Sequence, residues 1–335
     1  MSTHASNKPW PWRRFVTRCA FIVALAAPFV AGAPRAGAQA RWVVKLGTAA
    51  FAQAPLAGLL NGVAEAIERE QPGRFWVKRI VDGALARDKA GLLRVAAGEV
   101  HGYAASYDEL VAAVPEAIAL SAPFAFDNDR DAAAVLRSNG GSAIESALAA
   151  QGLRLVAIGP CEDRVLLSTS RALRSPADAA GLSIARGKDA AHSGLASALS
   201  MTPTDDAQAA DVHDATLSQL AASGAFFTAK HLTLTDHALE CGVLVLSQRW
   251  IDGLPEQMQK AMSKLPRDLG EQATKAQRAT REAILARAKA LGVEVSTLDT
   301  KQRRAFVEAT REVRVKLNGE PGSLARKLTL AAQAK

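Results

Sequence analysis

Two arginines of this 335-residue chain stand where a guanidinium could clamp a carboxylate through paired hydrogen bonds. Arg164 follows the polar run Pro160-Cys161-Glu162-Asp163 at a strand start, and Arg186 ends the strand-like run "LSIAR". Taken singly, each is more often a surface arginine than a ligand clamp. A second constellation is "DHALEC", in which His237, Glu240 and Cys241 could offer nitrogen, oxygen and sulfur to a metal, or a base to a thiolate nucleophile. That spacing matches no established ligand pattern, and a histidine at a strand-to-loop junction bonded to a neighbour explains His237 as well. Phe124 and Phe126, in "APFAF", are either core residues or walls of a pocket. No G-x-G-x-x-G follows a strand, and neither G-x-x-x-x-G-K-[ST], H-E-x-x-H nor G-x-S-x-G occurs, so nucleotide, zinc-protease and α/β-hydrolase chemistry lack their usual support.

The elements that must position these residues alternate between strand and helix. "WVVKLGTA" reads as a strand and "PLAGLLNGVAEAIERE" as a helix, with Leu56, Leu59, Leu60, Val63 and Ile67 at helical spacing. "RFWVKRIV", "DKAGLLRVAAGEV", "GYAAS" and "DELVAAV" repeat the pattern, and helix fills 129–151 with a break at "NGG". Such alternation predicts an α/β fold with a mostly parallel sheet covered on both faces and a ligand crevice at the carboxyl ends of its strands. A second block opens with two strands, "LRLVAIG" and "RVLLSTS", around the polar turn 160–163. It continues through a helix start at Ser175-Pro176, the strand "LSIAR", and helices over 189–200 and 212–223. From Pro255 to Leu291 the pattern is one long helix with Met258, Met262, Leu265, Leu269 and Ala273 as its apolar stripe, able to brace two lobes. A strand, a helix and an amphipathic tail from Ser323 complete the chain.

Residues 1–40 read as a secretory signal: Lys8, Arg13, Arg14 and Arg18 precede the apolar run Cys19 to Val30, and Ala38-Gln39-Ala40 offers a cleavage site. General secretion fits better than the twin-arginine route, because Phe15 directly follows Arg13-Arg14. The segment carries five basic residues and no acid, so its removal takes the formal charge from +8 to +3. The remaining basic residues alternate with acids, as in "REAILARAKA", which describes a solvated surface rather than a nucleic-acid or membrane-binding face. Cys161 and Cys241 remain, either as a disulfide in an oxidising compartment or as separate thiols.

In order and spacing, "KLGTAA", "VDGALARDKAGLLRVAAGEVHG", "VPEAIALSAPFAFDN", "SPADAAGLSIAR", "LTLTDHA" and "LVLSQRWIDGLPEQMQKAM" resemble the solute-binding subunits of tripartite ATP-independent periplasmic (TRAP) transporters, of the dicarboxylate-receptor type. The resemblance implies a two-lobed periplasmic receptor with strands crossing between lobes and a long helix along its back. Residues 41–161 and 241–280 would form lobe I, and 162–240 and 281–335 lobe II. "KHLTLTDHALECGVLVLSQRW" would leave the second lobe near Asp236 and His237 and re-enter the first at Val243. It further implies capture of a small organic solute, with carboxylates as a candidate class, by lobe closure, and delivery to membrane permease subunits, with no cofactor and no catalysis.

Arg164 fits the family's first carboxylate-binding arginine. Ala185 occupies the place of the second, with Arg186 displaced by one, which on a strand turns its side chain to the other face. Thr48 and Gln53 after the first strand, Ser106 and Tyr107 after the third, together with Phe124, Phe126, Phe227 and His237, are the further candidates for the pocket lining. About ten residues of the family's polar pocket segment are missing around "LSQLAASGAFF". Two rivals follow: the fold retained as a sensor or protein-interaction module, or a hydrolase or metal protein using His237, Glu240 and Cys241.

Overall fold

The computed structural model describes residues 41–52, 54–85, 90–126, 136, 139–185, 187, 189–319 and 326. The expected signal, Gln53, Arg186 and most of the expected C-terminal helix lie outside them. Strands β1 (Trp42–Thr48), β2 (Phe75–Ile80) and β3 (Gly102–Ala105) pair in parallel with β1 in the middle. Helices α1 (Pro55–Glu70) and α2 (Ala90–Ala96) connect them. Strand β9 (Leu239–Ser247) lies antiparallel to β3, and β4 (Leu153–Ser168) antiparallel to β9. The far half of β4 then pairs with β7 (Val212–Thr216) on one side and β8 (His231–Leu234) on the other. Beyond them lie β5 (Ser183–Ala185), β6 (Thr202–Thr204) and β10 (Glu294–Thr297), in parallel pairings. One strand thus serves two sheets, which is the two-lobed α/β architecture. Among the described residues no helix is long and apolar enough to cross a membrane.

Each sheet is covered on both faces, and the central strands show why they are apolar throughout. On β9, Val243 and Val245 enter a core with Leu92, Tyr103, Leu110, Leu120 and Ile144. The alternate residues Leu244 and Leu246 join Leu46, Leu60, Ile67 and Met262 on the opposite face. On β4, Leu166 packs with Leu195, Val212 and Phe306, whereas Val165 and Leu167 meet Leu217, Leu220 and Leu232. Burying a side chain of this size contributes about 1.5–3 kcal/mol, so a polar residue facing inward on either strand demands a compensating partner.

Four expectations about local structure are corrected. Pro160 to Asp163 is not a turn between two strands: β4 runs through it for 16 residues. Register shifts between Leu155 and Ala157 and between Ile158 and Cys161 absorb the irregularity. The segment 212–223 is strand β7 followed by helix Leu217–Ser223, because Thr216 caps the helix with Gln219 completing the capping box. The long helix is two, Glu256–Ser263 and Leu269–Ala290, broken around Pro266, which can neither donate to the ladder nor fit its interior. The predicted apolar stripe survives across that break within one core. "NGG" opens helix Asn139–Ala149 instead of interrupting one.

The Leu269–Ala290 helix lies directly on the irregular part of β4. A Cβ on Gly270 would sit 1.9 Å from the Ile158 carbonyl oxygen, and one on Gly159 2.4 Å from the Gly270 carbonyl oxygen. Gly159 also has φ +133, a region that residues with a side chain rarely adopt. Thr274 Oγ1 accepts a hydrogen bond from the Cys161 amide at 3.2 Å. Cys161 and Cys241 oppose each other on β4 and β9 and form a disulfide, resolving the alternative of separate thiols.

Candidate ligand site

Strand alternation decides what Arg164 meets. Arg164 lies two residues before Leu166 on β4, and Asp214 lies between Val212 and Thr216 on β7, in an alternating pattern whose other members are buried. Arg164 is opposite Thr216 in register, so Asp214 is its diagonal neighbour, within reach of a long side chain. The guanidinium donates from Nε to Asp214 Oδ1 at 2.8 Å, from Nη2 to the Asp214 carbonyl at 2.6 Å, and from Nη1 to Glu240 Oε1 at 2.5 Å. The Arg164 side chain is 12% exposed and that of Asp214 1%.

Asp214 has further partners. His192 Nδ1 lies 2.7 Å from Oδ2 and His237 Nε2 3.2 Å from Oδ1. Each histidine is held by its other ring nitrogen, His192 by the Ala185 carbonyl at 2.9 Å and His237 by Thr235 Oγ1 at 2.7 Å. Burial alone would raise the Asp214 carboxyl, but Arg164, His237 and the hydrogen bonds hold it well below the usual carboxylate range. Glu240, on crossing strand β9, behaves oppositely. Burial pushes it up to about 7, with Arg164 opposing and Asp108 and Asp214 adding to the rise. Its second oxygen accepts from Gln219 Nε2 at 3.1 Å.

The remaining space at this cluster, between Ser121, Pro123, Arg164, His192, Asp214 and His237, is about 10 Å³. That admits one water at most. Where the sequence leads one to expect Arg164 to offer its donors to a crevice, the Asp214 carboxylate and carbonyl and the Glu240 carboxylate already accept from it. A larger cavity of about 310 Å³ adjoins the cluster, with His237 and Ala238 lining both spaces. Its walls include Phe126, Asp236, Arg281 and Arg303. Arg281 pairs with Asp236 at 2.8 Å, while its Nη1 has no partner among the described residues. Arg303 donates to the Thr235 and Phe126 carbonyls.

The other expected positions separate into structural and peripheral ones. Phe124 is 7% exposed with φ +55, a conformation costly for a bulky residue. Its amide donates to the His237 carbonyl and its ring packs against Phe306, with the Arg303 guanidinium 4.9 Å from the ring centre. Tyr107 is buried with its hydroxyl on Ser121 Oγ. Ser106 caps the helix Tyr107–Ala113 in a capping box with Glu109. Thr48 is fully buried and accepts the Ala50 amide. Phe227 is 63% exposed and lines neither space. Sequence reasoning missed Asp214, His192 and Gln219. The alternation of "VHDAT", and the shared helical face of His192, Leu195 and Leu199, were the signals available.

The metal and nucleophile rival loses its parts here. The Cys241 sulfur is in a disulfide and Glu240 is engaged by Arg164. Among the described residues no three His, Cys, Asp or Glu side chains are placed to hold a metal ion.

No curated protein matches the sequence. Solved structures share its fold. A TRAP periplasmic solute-binding protein from Ochrobactrum anthropi, with a C-terminus bound in the ligand-binding pocket, has a TM-score of 0.81 at 19% identity over 88% of this chain and 95% of that one. One from Sulfitobacter sp. NAS-14.1 with bound β-D-galacturonate has a TM-score of 0.76 at 18% identity, covering 87% and 100%. Another, from Bradyrhizobium sp. BTAi1 in complex with α/β-D-galacturonate, has a TM-score of 0.74 at 23% identity, covering 87% and 100%. The family model for bacterial extracellular solute-binding protein, family 7, matches residues 46–318, and the chain belongs to that family.

Proposed function

We propose that the chain is the exported receptor of a TRAP-type transporter: it captures a small organic acid between its lobes and passes it to membrane permease subunits, making and breaking no bond. Residues 1–40 direct it to the periplasm; 41–161 with 241–280, and 162–240 with 281–335, are the two lobes. Relatives of the same fold hold galacturonate, glucuronate and galactonate, which makes sugar acids the first class to test. The observation that carries this reading is the match to the extracellular solute-binding family over residues 46–318, together with a strand common to both sheets that bears Arg164. A solute touching both lobes there favours the closed state by its differential contacts.

Native mass spectrometry of protein freshly purified from the periplasm, followed by a thermal-shift screen of organic acids, tests it. A co-purified acid, or an acid that raises the unfolding midpoint saturably, is expected. A protein that carries no small molecule and responds to no member of the screen contradicts the reading.

The filled space around Arg164 favours a second reading, a binding-protein fold serving as a sensor or a protein-interaction module. Transport by permease subunits reconstituted with the protein separates the two, since only a transport receptor stimulates uptake.

A further inference from the structure

We propose that Glu240 is a specificity residue standing in for a solute carboxylate at Arg164, so that an external carboxylate enters this site only in exchange for it. The proposal rests on the receptor reading for its biological meaning, but its physical content concerns only this pocket. Three observations carry it. Glu240 Oε1 sits 2.5 Å from Arg164 Nη1, on the outer edge of a guanidinium whose Nε and Nη2 already serve Asp214. The space that Arg164 shares with Asp214, His192 and His237 is about 10 Å³, so nothing larger than water fits beside the arginine on that side.

The two acids are also held differently. Asp214 is fixed by Arg164 and by two histidines from separate elements, and it cannot leave without unpairing all three. Among the described residues, Glu240 accepts side-chain hydrogen bonds from Arg164 and the Gln219 amide. It belongs to crossing strand β9, whereas Asp214 belongs to the second sheet. Glu240 is therefore the exchangeable anion and Asp214 the permanent one. Arg164 with Asp214 alone presents one donor edge, which suits a single carboxylate oxygen pair carried on a small organic acid. Solutes lacking a carboxylate have nothing to offer in exchange, and a dicarboxylate would have to leave its second group outside this cluster.

Chemical rescue tests the exchange without knowledge of the natural solute. Glu240→Ala removes the internal anion and leaves room for a small external one, with propionate as the probe. Above its Kd, each tenfold rise in propionate should raise the folded-to-unfolded ratio of Glu240→Ala tenfold. Propionamide, or chloride at equal ionic strength, should change it less than twofold, and wild type should respond less than twofold to all three. Adding Arg164→Met to Glu240→Ala should abolish the propionate response. Should Glu240→Ala alone fail to accumulate folded, the refolded yield from urea with and without propionate gives the same reading. Equal responses to propionate and propionamide, an undiminished response without Arg164, or a refolding yield indifferent to propionate would overturn the proposal. These outcomes are independent of whether the purified wild type carries a solute, so failure here and failure of the receptor reading are told apart.

Discussion

Removing Arg164 is the perturbation whose cost the structure specifies best. In Arg164→Met, Asp214 stays buried with a 1% exposed side chain and, among the described residues, His192 and His237 as its side-chain partners, and Glu240 loses the cation 2.5 Å away. Breaking a buried ion pair by deleting one partner costs about 3–5 kcal/mol, because the other charge remains without compensation. At about 2.1 cal/mol/K of unfolding entropy per residue, a chain of this size shifts by about 1.5 °C per kcal/mol, so the midpoint should fall by roughly 4–8 °C. The deficit should widen from pH 5.5 to pH 8, where Glu240 must ionise without its partner. Combining Arg164→Met with Asp214→Asn and Glu240→Gln removes the stranded charges and should recover much of the loss, since the three sites are coupled. Urea denaturation followed by circular dichroism at the two pH values measures all of this. A single-variant loss below about 0.5 kcal/mol, the value expected of an ordinary surface position, would refute the reasoning. So would a triple variant as unstable as the single one.

Three other outcomes follow from the same geometry. Glu240 rises from 4.5 to about 7 on folding. Its stabilising contribution is therefore complete below the lower value and lost as pH rises through the upper one, roughly 3 kcal/mol in all relative to Glu240→Gln. Asp214, lowered on folding, acts in the opposite sense and loses its contribution as pH falls below 3.8, so urea midpoints of wild type and Glu240→Gln compared at pH 4.5 and 8 isolate the Glu240 effect. The Cys161–Cys241 disulfide spans a sequence separation of 80 residues, and the chain-entropy relation gives about 4–5 kcal/mol for a loop of that length. Free-thiol counting on unfolded protein should find no thiol from this pair, and Cys161→Ala with Cys241→Ala should lower the urea midpoint accordingly. Gly270→Ala places a methyl against the Ile158 backbone and should destabilise strongly. Gly58→Ala, with nothing within 4 Å, should leave the protein unchanged or stabilise it by about 0.5–1 kcal/mol; comparable effects at both positions would contradict the close approach of helix and strand.

The α/β architecture was legible because each strand of the first sheet is followed by an amphipathic helix, and because Val243 to Leu246 is apolar on both faces. The continuity of β4 was not legible. Pro160 and the acids beside it carry a turn's chemistry, and only pairing with β9 from 80 residues later in the chain makes them strand. Local propensity yields there to long-range hydrogen bonding. For the site, Arg164 and His237 were among the candidates the sequence named, and the structure brings both to one cluster around Asp214. What surrounds them was not found, because Asp214 was assigned to a helix, whose period hides the inward alternation of Val212, Asp214 and Thr216. Nor does a sequence announce that an arginine is already paired: Glu240 is 76 residues from Arg164, and only the register of β4 with β9 brings them together.

The claim that Arg164 receives a solute carboxylate in place of Glu240 is met most directly by one calorimetric comparison. The organic acid that co-purifies with the protein, or the strongest response in the thermal-shift screen, is titrated into wild type and Glu240→Gln at pH 8. Tighter binding by Glu240→Gln, at least tenfold, is predicted, because the acid no longer displaces a charged group from the arginine. Equal affinities, or weaker binding by the variant, would contradict it.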